Sequence, residues 1–274
     1  VTIKDKKYYF LAGLPRSGST LLSSILNQNP KIYSGPGSPV VDLMFGAETF
    51  LTKCEQLQAY PNENFIQTHI SSIIKDFYKD VDNKIIIDKS RAWPNNIHLI
   101  KKYITNDVKI ICTVRDVKEI LASFIKINKK GLSFIDQNLI TERKNLTTEN
   151  RCDHLMSDDG VVSNSLGAIY KCFERKEEKN LLLIEYDNLI NNTENEIKKI
   201  YNFLNEEYFE HNFNQIKQNF NINDDVYGLI NMHKVNHTIE KNKTKNDVQN
   251  ILTDRIIEKC KGLEFWRNPN LLFK

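Results

Sequence analysis

Four β-rich runs, residues 8–12, 84–87, 108–114 and 181–185, are dominated by Ile, Leu, Val, Phe and Tyr. Between them apolar residues recur at three- and four-residue intervals. This spacing predicts helices over 19–27, 65–79, 95–103, 117–127, 161–178, 194–204 and 246–260. In the first of these, Leu21, Leu22, Ile25 and Leu26 form one apolar stripe, as a short helix packed on a sheet requires. Strands alternating with helices predict an α/β fold with a parallel β-sheet flanked by helices. Two segments break the rhythm. Tyr33-Ser34-Gly35-Pro36-Gly37-Ser38-Pro39 reads as a rigid small-residue loop, and 128–165 as a long polar loop on the acceptor side of a site. No internal repeat or linker divides the chain, so 1–274 reads as a single domain.

Hydrophobic residues make up 40% of the 274, enough for a sizeable core without staples. The 38 basic and 35 acidic residues nearly balance, so any anion site must be local. A nucleic-acid partner is not expected. Five scattered cysteines without a CxxC pair read as reduced thiols. No apolar run reaches the ~20 residues of a membrane span, and the first residues do not read as a signal peptide. The expected location is cytoplasmic.

The informative segment is Gly13-Leu14-Pro15-Arg16-Ser17-Gly18-Ser19-Thr20-Leu21-Leu22, which follows the first strand and leads into a helix. A strand–loop–helix turn offers free N–H groups, a positive helix end and hydroxyls, all suited to a phosphate. Gly18 allows close backbone approach, and Ser17, Ser19 and Thr20 carry donors. The spacing Gly13-x4-Gly18 matches a nucleotide triphosphate loop, yet Ser19 stands where that loop needs lysine. The nearest cation is Arg16, inside the loop, so a 5′-phosphate suits it better than a triphosphate.

Further groups fall at strand ends, where parallel sheets present ligands. The second strand closes in Asp88-Lys89-Ser90-Arg91, and the third in Arg115-Asp116, with Ser123 eight residues beyond Arg115. Arg115 offers a planar fork for a phosphate and Ser123 a donor to the same anion, while Asp116 suits a helix cap. Two chemistries remain open. In a metabolite kinase Asp88 would hold Mg²⁺; in the other, Lys89 would stabilise charge on a leaving bridging oxygen. A non-catalytic nucleotide-binding module is a third possibility.

Residues 14–22 resemble the 5′-phosphosulfate loop of sulfotransferases that use 3′-phosphoadenosine 5′-phosphosulfate (PAPS), and Val114-Arg115-Asp116 with Ser123 resembles their 3′-phosphate site. Arginine within the loop is similar to the tyrosylprotein sulfotransferase branch. The resemblance spans about residues 8–204 and implies a P-loop-like sulfotransferase fold. It implies that Pro15, Arg16, Ser17, Gly18, Ser19 and Thr20 bind the cofactor with Arg115, Ser123 and Tyr186, and that Lys89 is catalytic beside Arg16. It also implies transfer of a sulfuryl group to a hydroxyl or amine with release of adenosine 3′,5′-bisphosphate (PAP) and no need for a metal. A C-terminal cation is expected as well, from His233-Lys234-Val235-Asn236-His237 or from Lys241-Asn242-Lys243-Thr244-Lys245, and is assigned to Lys243. The branch's glutamate base falls on Gly37, leaving Asp42 as the expected substitute and Glu48, His69 and His154 as more distant candidates. The cluster Asp153, His154, Asp158 and Asp159 matches no metal-ligand spacing. The acceptor, whether peptide, carbohydrate or small molecule, is not specified by these residues, and neither is the oligomeric state.

Overall fold

The computed structural model describes residues 6–239 and 248–268. In chain order the elements are β1 (Lys7–Gly13), α1 (Ser19–Leu26), β2 (Ile32–Gly37), α2 (Val40–Lys53), α3 (Glu55–Ala59), α4 (Glu63–Phe77), β3 (Ile85–Lys89), α5 (Ile97–Tyr103), β4 (Ile110–Val114), α6 (Val117–Ile127), α7 (Phe134–Thr141) and α8 (Thr148–Leu155). There follow α9 (Val161–Glu174), β5 (Leu181–Glu185), α10 (Tyr186–Asn191), α11 (Thr193–Leu204), α12 (Val248–Ile251) and α13 (Asp254–Lys259). The strands form one parallel sheet in the order β2-β3-β1-β4-β5. The α/β class inferred from the alternating pattern is therefore the observed one.

Alternation along β1 explains how the sheet is covered on both faces. Tyr9 and Leu11 pack with Leu22, Ile25 and Leu26 of α1 and with Ile197 and Ile200 of α11. Phe10 and Ala12 pack oppositely, against Val40, Ile70, Trp93 and Ile97. A third cluster joins Val114 to α6, α7, α8 and the C-terminal helices. Each fully buried Leu, Ile or Phe contributes about 1.5–3 kcal/mol, so the central strands are the most strongly held part of the chain.

Three segments differ from the sequence expectation. The stretch taken as a loop after α1 is instead the edge strand β2, with a register shift between Ser34 and Gly37. Pro36 lacks an N–H, which an edge strand tolerates because one side has no neighbour to bond. Residues 128–165 contain α7 and α8, capped by Ser133 and Thr147, and bury Ile135, Leu139, Cys152 and Leu155. Two turns of helix give too few repeats for a clear period. The fully buried Asp136, which accepts from Arg151 Nε at 2.6 Å and from its Nη2 at 3.1 Å, further obscures the apolar pattern. The last helix is interrupted between α12 and α13, where Thr253 is extended; its first residues, 246 and 247, lie outside the described ones.

The end of β1 is held unusually close to β4. Gly13 adopts φ +128°, and a Cβ placed there would lie 2.1 Å from the Thr113 carbonyl oxygen. Only glycine fits, because both the backbone angle and the space exclude a side chain. At Gly37, by contrast, the nearest atom to an added Cβ is 3.8 Å away. Gly13→Ala is therefore expected to lower unfolding stability by about 2–4 kcal/mol, and Gly37→Ala to change it by less than about 1 kcal/mol. Urea unfolding midpoints of the two variants would check this contrast.

Candidate functional site

The carboxyl ends of β1, β3, β4 and β5 meet at one cavity of about 840 Å³. One wall is the loop after β1. Its hydroxyl groups divide in function: Ser19 and Thr20 line the cavity, whereas Ser17 is fully buried and turned to the protein. Ser17 Oγ contacts Thr113 Oγ1 at 2.6 Å and donates to the Leu14 and Thr113 carbonyl oxygens. The expectation of a free Ser17 hydroxyl is corrected; this hydroxyl fastens the loop to β4. Gly18 begins α1 at φ +91°, and a Cβ there would meet the Tyr186 ring at 2.8 Å. Its lack of a side chain thus serves contact with α10 as well as access to the cavity.

Arg16 and Arg115 hold one another in place. Arg16 sits in the left-handed region at φ +59°, and its carbonyl accepts from Arg115 Nη1 at 3.1 Å. Arg16 Nε donates to Ser123 Oγ at 3.1 Å, and its Nη1 donates to the Met232 carbonyl. Burial and the charge of Arg115 both lower the Arg16 pKa. Arg115 also pairs with Glu119 at 3.3 Å and lies 4.3 Å from the centre of the Tyr186 ring. Its Nε is buried with no hydrogen-bond partner among the described residues. The two anion sites expected from sequence are therefore one connected arrangement, with Ser123 behind Arg16 instead of on the cavity wall. Asp116 caps α6 by accepting from the Lys118 N–H, as expected.

Lys89, at the end of β3, points its Nζ to Thr20 Oγ1 at 3.4 Å and lines the cavity. Burial, aided by the neighbouring charge of Arg91, pulls its pKa down to about 8. Asp88 is different. It is fully buried, and its carboxylate accepts from Trp93 Nε1 at 2.6 Å, Ser38 Oγ at 2.5 Å and Tyr78 Oη at 2.7 Å. These contacts occupy both oxygens and leave the group off the cavity wall, which removes the metal-holding role assigned to it by the kinase alternative. The same contacts tie β3 to the start of α2.

Among the alternatives to the missing Gly37 carboxylate, only Asp42 reaches the cavity. It lies in the first turn of α2, exposed, and among the described residues is the single carboxylate of the lining. Glu48 instead pairs with Lys102 and His98 and accepts from Tyr103. His69 turns to the Phe65 carbonyl on the exposed side of α4, and His154 of α8 contacts Asn138. Asp153 is paired with Arg255 and Lys259. No residue of 128–165 is among those lining the cavity. Lys243 lies outside the described residues.

Sequence inspection offered 233–237 only as one source of a cofactor cation and did not recognise the opposite wall, a strap formed by residues 222–239. Ile222, Tyr227, His233, Lys234 and Val235 from this segment face the loop after β1 across the cavity. Its position is fixed by long-range bonds: Ile230 N–H to the Ile127 carbonyl at 2.8 Å and Ile216 N–H to the His237 carbonyl at 2.7 Å. The segment has no apolar period and little regular structure, so no local signal marks it. Among the described residues, five cations, Arg16, Lys89, Arg91, Arg115 and Lys234, line the cavity with the one carboxylate. That composition suits a highly charged anion.

A model of the Sulfotransferase family matches residues 9–210. This chain belongs to that family. No curated protein matches it, but solved sulfotransferases share its fold. The sulfotransferase domain from the curacin biosynthetic pathway superposes with a TM-score of 0.55 at 16% identity, covering 93% of this chain and 97% of its own. The mouse sulfotransferase SULT7A1, solved in complex with PAP, superposes with a TM-score of 0.56 at 14% identity, covering 98% and 87% respectively. Among the described residues of this sulfotransferase, no helix is long and apolar enough to cross a membrane.

The depressed Lys89 pKa gives a direct test. After reductive methylation with ¹³C-formaldehyde, one dimethyl-lysine resonance should titrate near pH 8 and vanish in Lys89→Arg.

Proposed function

We propose that this sulfotransferase moves a sulfuryl group from PAPS to an acceptor hydroxyl by in-line displacement and releases PAP. The observation that carries this reading is the convergence of Lys89, Arg16 and Arg115 around one cavity, with Lys89 Nζ beside Thr20 of the loop. The PAP-bound state of the mouse structure supports the choice of nucleotide. So does the chemistry of the lining, since a nucleotide phosphorylated at two positions needs cations at two places. The unpartnered Arg115 Nε fits a guanidinium built to meet more than Glu119 and the Arg16 carbonyl.

In this reading the 5′-phosphate lies on the loop from Pro15 to Thr20. Gly18 and Ser19 offer backbone N–H groups at the start of α1, Ser17 contributes its main chain, and Thr20 its hydroxyl. Arg115 holds the 3′-phosphate, with Ser123 supporting it through Arg16, and Tyr186 provides an aromatic face for the nucleotide. Lys243 is assigned to the C-terminal cofactor contact. Arg16 and Lys89 flank the transferring group, and Asp42 meets the acceptor at the open end.

The electrostatic argument concerns Lys89. As the bond from sulfur to the bridging oxygen breaks, negative charge grows on the 5′-phosphate, and an ammonium in a partly desolvated pocket stabilises that charge more than water does. A dianion beside Lys89 also favours its protonated form, offsetting the burial that lowers its pKa in the free protein. The scheme uses this electrostatic arrangement and in-line positioning, and calls on no metal.

Lys89→Ala is expected to reduce turnover of PAPS roughly 100-fold, equivalent to about 3 kcal/mol, while PAP affinity changes little. Arg115→Ala should weaken PAP binding by about 1.5–3 kcal/mol through loss of charged hydrogen bonds. Calorimetric titration with PAP, in the presence and absence of a chelator, checks both the affinities and the reading. Binding that requires Mg²⁺ and prefers ATP would return the protein to the kinase class.

A further inference from the structure

A pair of residues on the strap forms an arrangement that sulfuryl transfer alone does not assign. Asp224 lies in a short turn at the start of the strap, and His233 nine residues later. The Asp224 carboxylate grips His233 twice. Its Oδ1 is 2.6 Å from the ring Nδ1, and its Oδ2 accepts from the His233 backbone N–H at 3.0 Å. A carboxylate only accepts, so the ring proton belongs on Nδ1 and the lone pair on Nε2. Nε2 has no hydrogen-bond partner among the described residues, and His233 lines the cavity with Lys89 and Arg16.

We infer that His233, oriented by Asp224, is the base that removes the proton from the acceptor hydroxyl. The inference rests on the sulfuryl-transfer reading given above. In the step, the acceptor oxygen forms a bond to the sulfur of PAPS. The bond from that sulfur to the bridging oxygen breaks, and its electron pair stays on the 5′-phosphate of PAP beside Lys89. The hydroxyl proton goes to His233 Nε2, leaving an imidazolium paired with the Asp224 carboxylate. Atoms and charge balance without any further reactant.

Three observations favour His233 over Asp42 for this task. Asp42 is exposed and no side chain orients it, whereas the side chains of His233 and Asp224 are only 20% and 16% exposed. The residue before His233 is also tied down, because the Met232 carbonyl accepts from Arg16, a loop residue of the site. The third is the charge environment. The groups facing the ring are Asp224, Lys89 and Arg16, with the Tyr227 ring 5.8 Å away. Burial lowers the His233 pKa, Asp224 opposes that, and the positive charges of Lys89 and Arg16 lower it further, with a net downward shift. The ring is therefore neutral at pH 7 and able to accept a proton. Activity is lost as pH falls through a value below the ordinary 6.5.

The test measures PAP release from PAPS with water, 2-naphthol and a tyrosine-containing peptide as acceptors, beside calorimetric PAP binding. His233→Asn should lower the rate roughly 100-fold and abolish the acidic limb of the pH profile, with PAP affinity within about 3-fold of wild type. Asp224→Asn should lower the rate about 10-fold and move the acidic limb to lower pH, because the ring loses its stabilising carboxylate; Asp224→Glu should restore part of both. If His233→Asn binds PAP and keeps the wild-type rate and pH profile, the assignment is wrong. If wild type binds no PAP and releases none from PAPS, the sulfuryl-transfer reading itself fails. If wild type binds PAP but turns over none of the three acceptors, ¹⁵N-histidine NMR of the PAP complex decides. A proton on Nδ1 of His233 supports the inference, and one on Nε2 overturns it.

Discussion

The close contact between the end of β1, the central strand, and its neighbour β4 is the constraint on which the site depends. Gly13 brings its backbone against Thr113, and Ser17 then closes the loop with a buried hydroxyl pair to the same residue. With the loop fastened to β4, the residue before Ser17 and the first residue beyond β4 come together as Arg16 and Arg115. Two guanidinium groups side by side repel one another. Here the arrangement persists because the Arg16 carbonyl, Ser123, Glu119 and the Tyr186 ring take up their N–H groups and faces. An anion between them would relieve the same repulsion.

Asp88 and Lys89 illustrate how neighbouring residues on one strand acquire opposite tasks. Successive side chains of a strand point to opposite faces. Asp88 turns into the core and meets Trp93, Tyr78 and Ser38, which fastens the sheet to α2. Lys89 turns to the loop after β1, where desolvation makes its charge costly until an anion arrives. Buried polar groups on both sides thus position the wall that carries Asp42 and the ammonium that faces it.

The strap of residues 222–239 completes the cavity from the far side. It is held by backbone bonds to the end of α6 and by Arg16, so the loop after β1 organises both walls. The strap also brings a histidine from beyond residue 230 to within reach of a lysine from β3 and an arginine from the first loop.

By itself the sequence determined the α/β class, four of the five strands, the strand–loop–helix turn after β1, and the placing of Lys89 and Arg115 at strand ends with Arg16 inside the loop, because each depends on local spacing. Periodicity is local physics: a strand's alternation, a helix's stripe and a glycine's freedom are written within a few residues. What only the tertiary structure decided was which groups face the cavity. Ser17 and Asp88 turned away because their hydrogen-bond partners come from other strands and helices. Edge strand β2 formed across Gly and Pro because β3 offered it a ladder. Asp224, His233 and Tyr227 joined the site because long-range bonds folded an irregular segment over it. No window of sequence contains those partners.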